Sequence, residues 1–214
     1  MKSNKPALNV LISAGPTREF IDPVRFISNS STGTIGYLLA KTAKQMGHKV
    51  VLLLGPSNLK PIPGIKTINF ISCLDLKKQM DNYFDWADWI ICSAAVGDYR
   101  PVSIAKNKIK KTQGLNQLKL KLNPDILKTL GKKKKDKILV GFALETQDLL
   151  KNAKAKLKAK NLDLIVANQI NSKQNPFGSG LISAALIDSA RTRHYDNVSK
   201  SKLARIILDR ISAL

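Results

Sequence analysis

The sequence predicts a three-layer, doubly wound (Rossmann-like) α/β fold with a mostly parallel sheet and an inserted flap or β-arm. Three observations carry this. Short runs that are apolar throughout alternate with helix-like segments, the pattern of a parallel sheet covered on both faces. The helix-like segments carry boundary signals, such as a stop at Gly47 and a start at Asn123-Pro124. One region, 100–121, breaks the rhythm: it is basic, contains Gly114 and includes an alternating run over 118–122.

Residues 8–13 form a short apolar run and read as the first buried strand by length and flanks. Residues 34–46 read as a helix. Residues 49–54 are a second strand, ended by Gly55-Pro56. Residues 67–71 are a third, followed by a helix over about 74–84, and 89–93 are a fourth. Strands at 138–143 and 162–167 flank a lysine-rich helix from about 148 to 158. Residues 182–187 and 192–195 are spaced to pair as a hairpin, and a last helix runs over about 200–211. Without an internal repeat or clear boundary, residues 1–214 are expected to form one domain.

The 214 residues are 43% hydrophobic, enough to bury the core of one domain with at most a small appendage. No stretch reaches the ~20 apolar residues that span a bilayer, and the polar start over 1–6 lacks a signal-peptide layout. Cys73 and Cys92 form no CxxC pair, so a reduced, cytoplasmic protein is expected. His48 and His194 lie far apart in sequence, which argues against a zinc site or a Ser-His-Asp triad. The formal net charge is +21. Such a field attracts nucleic acids, membranes and phosphate substrates alike, and a solvated lysine surface explains it equally well.

In a doubly wound sheet ligands bind beyond the carboxyl ends of the strands, and the unusual segments fall there. After the first strand comes a connection of about 20 residues, against the 2–6 typical of such loops. It holds Gly15, Thr17-Arg18-Glu19, Asp22-Pro23-Val24-Arg25 and Ser28-Asn29-Ser30-Ser31-Thr32-Gly33. Its hydroxyl-rich end opens the first helix, where free N–H groups and the dipole favour phosphate. The plainer alternative is a Ser or Thr cap. A dinucleotide loop fits poorly: Gly33 and Gly36 match the last two glycines of G-x-G-x-x-G, but Ser31 holds the first position. The second strand also ends in Gly55, where an acidic residue would usually hold a ribose.

The fourth strand leads into Ser93-Ala94-Ala95-Val96-Gly97-Asp98. Small residues there let a base or sugar approach the backbone, and Asp98 either binds the ligand or caps a turn. Lys108-Ile109-Lys110-Lys111 follows; if extended, Lys108 and Lys110 share a face, as compact charges suited to phosphate. Such runs are usually only solvated. Asn123 is the expected cap of a helix with Pro124 at its first position. Phe142 belongs either to the core or to a base-stacking surface. Lys156 and Lys160, at i,i+4 spacing, could share a helix face that meets a triphosphate or merely water.

Taken in order, T-R-E, D-P-V-R, I-S-N-x-S-x-G, A-A-V-x-D-Y-R, K-I-K-K, N-P-D-I, G-F-A-x-E-T and N-L-D-L-I resemble phosphopantothenate–cysteine ligases of the bacterial, CTP-dependent type. The resemblance covers nearly the whole chain and implies a monofunctional synthetase. It implies that the carboxylate of 4′-phosphopantothenate attacks the α-phosphate of CTP, giving an acyl-cytidylate and pyrophosphate. The amine of L-cysteine then displaces CMP. Mg2+ and a homodimer are also implied. No metal ligands can be read from the sequence.

By the same resemblance, the nucleotide contacts are Gly15, Ser93, Ala94, Asp98, Lys108, Pro124, Asp125, Ile126, Leu127, Phe142, Lys156 and Lys160. Asn29 and Arg25 are expected near the acyl group, and catalysis is expected to rest on Asn29, Lys108 and Arg25. Pro16, Thr32 and Gly97 depart from the family pattern at positions of backbone contact. The roles are physically coherent, since this chemistry needs charge neutralisation more than acid–base groups. An amide donor to a developing oxyanion is typically worth about 3 kcal/mol. Two alternatives remain, a basic nucleic-acid-binding module and an NAD(P)-dependent oxidoreductase. Charge alone favours the first. The expectation is no nucleic-acid and no membrane partner.

Overall fold

The computed structural model describes residues 6–111, 117–170, 177–178 and 180–214. Residues 1–5 of the polar start and Gly114 lie outside the described residues.

The first strand, β1 (Asn9–Ala14), is central because it is apolar on both sides. It pairs in parallel with β4 (Lys49–Leu54) and β6 (Trp89–Cys92). β5 (Lys66–Asn69) extends the sheet beyond β4, and β9 (Ile138–Glu145) and β10 (Leu164–Gln169) extend it beyond β6, all in parallel. β11 (Ile182–Ile187) and β12 (Thr192–Val198) add an antiparallel edge. The eight-stranded order is β12-β11-β10-β9-β6-β1-β4-β5. The expected mostly parallel fold is therefore present, and the order in which successive strands are added reverses between β1 and β6.

Side-chain alternation along β1 sends Val10, Ile12 and Ala14 to one face and Leu11 to the other. On the first face lie α1 (Thr34–Gln45), through Leu39, Ala40 and Ala43, and α5 (Lys200–Ile211), through Leu203, Ile207 and Leu208. On the second lie α2 (Cys73–Tyr83), α3 (Ile126–Lys133) and α4 (Leu149–Ala159), through Leu76, Met80, Leu130 and Ala153. Each fully buried Leu or Ile contributes roughly 1.5–3 kcal/mol, so the sheet is held from both sides. His48 belongs to this scaffold: its Nδ1 accepts from the Leu8 N–H at 3.3 Å and its ring meets Trp89 edge-on.

The long connection after β1 is not plain loop. It contains a small hairpin, β2 (Arg18–Phe20) with β3 (Phe26–Ser28). The region read as a flap is an arm whose base is a two-stranded ladder. β7 (Tyr99–Pro101) pairs with β8 (Leu120–Leu122), with Arg100 opposite Lys121.

One expected boundary is corrected. Asn123 does not cap α3; Asp125 does, its side chain accepting from the Lys128 N–H at 2.9 Å. Asn123 is drawn away by tertiary partners. Its Nδ2 donates to the Gly97 carbonyl at 2.8 Å and its Oδ1 accepts from Arg100 at 2.8 Å. Pro124 thus precedes the cap rather than opening the helix.

Candidate functional site

A cavity of about 760 Å³ opens at the carboxyl ends of β1, β6, β9 and β10, beside the reversal of strand order where ligands of such sheets bind. It is lined by the segment from Cys92 to Tyr99 after β6, by the start of α1 and by the start of α3.

The floor is built from backbone. Beyond β1 and β6 the chain continues their pairing: the Ala95 N–H donates to the Gly15 carbonyl at 2.9 Å, and the Thr17 N–H to the Ala95 carbonyl at 3.1 Å. Gly15 sits beneath this floor at φ 86°, packed on Gly55, and is not among the cavity-lining residues. The Thr17 hydroxyl accepts from the Gly97 N–H at 3.0 Å. With Asn123 on the Gly97 carbonyl and the Asn123 N–H on the Asp98 carbonyl at 2.8 Å, the Asp98 loop is fixed at three points. Ser93, Ala94 and Asp98 all line the cavity.

On the α1 side, Asn29 lines the cavity, its Nδ2 donating to the Ala95 carbonyl at 3.0 Å. Ser31, Thr32, Gly33 and Thr34 follow along the wall. Gly33 caps α1 in the left-handed region, φ 76°, and no side chain bonds the first-turn N–H groups. The Ser or Thr side-chain cap considered from sequence is therefore absent from α1. The helix start is presented to the cavity, the arrangement that favours an anion.

On the α3–α4 side, Pro124, Asp125, Ile126, Leu127, Phe142, Lys156 and Lys160 line the wall. Both lysines are paired. Lys156 Nζ meets Glu145 Oε1 at 2.6 Å, and Lys160 Nζ meets Asp125 Oδ2 at 3.1 Å. Lys160 is the residue just past α4, and its placement rests on a backbone contact. A Cβ on Gly131 of α3 would come within 1.9 Å of the Lys160 carbonyl, and Asn161 Nδ2 donates to the Gly131 carbonyl at 2.9 Å. Only glycine admits that approach. Phe142 packs against the α1–α5 core and also lines the cavity.

Lys108 and Arg25 do not line the cavity. Arg25 Nη2 and Nε bond Asp22, and Nη2 also donates to the Ile109 carbonyl at 3.0 Å. Asp22 is inaccessible to solvent and also accepts from the N–H groups of Val24, Arg25 and Ile109. The Arg25 hydrogen bond, then those backbone donors, hold its carboxyl well below the usual range despite burial. Arg25 thus clamps the arm beside Lys108 to the hairpin. The Ala105 N–H adds a bond to the Ile21 carbonyl at 3.0 Å.

Sequence reasoning missed Glu145 as the partner of Lys156, and Tyr99, Asn168, Phe177 and Lys200 as cavity residues. Glu145 sat within a recognised motif; the others carry no local signal. Cys92 also lines the wall, and burial pushes its thiol up to about 12, while Cys73 is pushed to about 11. Neither is a ready nucleophile at neutral pH.

The family model for the C-terminal domain of DNA/pantothenate metabolism flavoproteins matches residues 6–214. The chain belongs to this family. It is 44% identical, over 208 residues, to the coenzyme A biosynthesis bifunctional protein CoaBC of Bacillus subtilis (strain 168), covering 96% of this chain and 51% of that protein. It is 41% identical, over 208 residues, to a cysteine/cysteine sulfinic acid decarboxylase of an unknown prokaryotic organism, covering 96% and 58% respectively. Among solved structures it is similar to the C-terminal domain of a CoaBC protein at 34% identity and a TM-score of 0.81, covering 95% of this chain and 93% of that one. The chain spans about half the length of the curated relatives it matches. Membership in this family agrees with the resemblance carried by the motifs. Among the described residues no helix is long and apolar enough to cross a membrane.

Proposed function

We propose that this chain joins 4′-phosphopantothenate to L-cysteine at the expense of CTP, acting in the cytoplasm as a single domain that pairs into a homodimer. One observation carries the reading. A single cavity at the β1–β6 switch point gathers Asn29, the open start of α1, the Asp98 loop and the Lys156 and Lys160 pair. Family membership supports it over a nucleic-acid-binding module or an NAD(P)-dependent oxidoreductase.

In the first half-reaction a carboxylate oxygen of phosphopantothenate attacks the α-phosphorus of CTP, and the bond to pyrophosphate breaks. Ser93, Ala94 and the start of α3 hold the nucleoside. Lys156 and Lys160 leave their carboxylates and neutralise the phosphates, joined by Lys108 on the clamped arm. In the second, the neutral amine of cysteine attacks the acyl carbon, its extra proton passes to solvent and CMP leaves. The Asn29 amide stabilises the acyl oxygen. Magnesium would fit a supporting place, since the ion usually keeps several waters and is held through substrate phosphates plus one or two carboxylates. Asp98 and Asp125 line the cavity, and among the described residues no three potential ligands gather. A magnesium carried in on the triphosphate would offset its charge.

Exposed apolar residues on the hairpin and arm support self-association: Val24, Phe26, Val102, Ile104, Leu120 and Leu122. The testing experiment measures pyrophosphate with each nucleotide. Release with CTP should depend on phosphopantothenate and magnesium but not on cysteine. ADP and phosphate in its place would overturn the acyl-cytidylate route.

A further inference from the structure

Lys200, the first residue of α5, is only 9% exposed and lines the cavity. No motif singles it out, and the proposed chemistry does not use it. Its Nζ donates to the Gly178 carbonyl at 2.5 Å, and among the described residues no bond takes its other two donors. Among the described residues no carboxylate pairs with it. Lys134 gives the contrast: it is equally buried at 9%, but meets Asp163 at 2.5 Å. The helix makes matters worse for Lys200. A cation in a first turn faces the positive end of the dipole, and the Ser199 hydroxyl already caps the Lys202 N–H. Burial lowers the lysine's affinity for its proton. A buried, uncompensated ammonium is costly to stability, so its place is explained by something that arrives.

α5 packs against α1, and the starts of both helices reach the same cavity from the same side of the sheet. That side already presents the start of α1, which no side chain caps, with Ser31 and Thr32. Lys156 and Lys160 belong to the other side, each with a carboxylate already at hand.

We propose that Lys200 is an anion-binding residue of the cavity and takes a phosphate group of a substrate on the α1–α5 side. This rests on the reading of the cavity as a site for phosphorylated substrates. Two sources share the chemistry, the triphosphate of the nucleotide and the phosphomonoester of phosphopantothenate.

Calorimetric titration of inorganic pyrophosphate, CTP and phosphopantothenate into the full chain separates them. Lys200→Met keeps the packing and removes the charge; Lys200→Gln keeps an amide donor for Gly178 and serves if the first variant fails to fold. Pyrophosphate should bind at least tenfold more weakly to both variants. Whichever natural substrate loses a similar factor supplies the phosphate. Without ligand, Lys200→Met should melt no lower than the parent, because a costly charge has gone. A peg that merely held Gly178 would give the opposite. All three ligands bound within twofold of the parent, or none bound by the parent, would overturn the proposal. If the parent binds them but makes no product, the ligase reading fails and the Lys200 assignment stands.

Discussion

Glu145, at the end of β9, accepts from Lys156 at 2.6 Å and from Asn152 Nδ2 at 3.2 Å, so one carboxylate holds the ammonium at the cavity wall. A triphosphate reaching Lys156 must compete with Glu145. Glu145→Gln retains an acceptor of the same shape and removes the rival charge. CTP should bind several-fold more tightly, in keeping with the ~1 kcal/mol or less of a partly exposed pair. Titration calorimetry reads this directly. Weaker binding would mean that Glu145 serves mainly to aim the lysine.

The division of labour between Lys108 and Asn29 can be measured by rapid quench with labelled CTP. Lys108→Gln removes a charge from the arm and should leave little acyl-cytidylate. An asparagine amide has two N–H groups; in Asn29 one is held by the Ala95 carbonyl, which leaves the other for the acyl oxygen. Asn29→Asp removes both and sets a carboxylate oxygen against that carbonyl. The second half-reaction should fall about 10²–10³-fold, with CTP still consumed once per site and the intermediate retained. Equal loss of both steps in both folded variants would refute the division.

The clamp between hairpin and arm makes a pH-dependent prediction. Arg25 and the backbone donors depress the Asp22 carboxyl below its unfolded value, so the ionised clamp stabilises the arm above about pH 4. That contribution fades as pH falls from there toward the lower folded value. In Asp22→Asn the amides of Ile109 and Ala105 should exchange hydrogen at least tenfold faster at neutral pH. Their exchange should also lose its acid-side change in protection, once intrinsic rates are removed. Unchanged protection would show that the arm is held by its ladder alone.

Most of the sheet was legible because each central strand is built on a short apolar run, and β1, β4 and β10 fall within two residues of the expected limits. The hairpin was not. Its strands have 3 residues each, too short for a periodicity to register. The α3 cap was misplaced because Asn123-Pro124 is a strong local signal, while Arg100 and Gly97 recruit Asn123 from 23 and 26 residues away. Lys156 and Lys160 were legible as a spaced pair; their carboxylate partners were not, since Glu145 and Asp125 lie 11 and 35 residues off. Lys200 was invisible, because in so lysine-rich a chain only burial sets it apart.

At Gly131 the backbones of α3 and the α4 end touch with no side chain between them. Two segments so joined move as one rigid body, because any relative slide drives a carbonyl into a main chain. Asp125 rides on one and Lys160 on the other, yet their separation is set by side-chain rotation alone. Opening that ion pair is thus a matter of rotamer hops, fast and local.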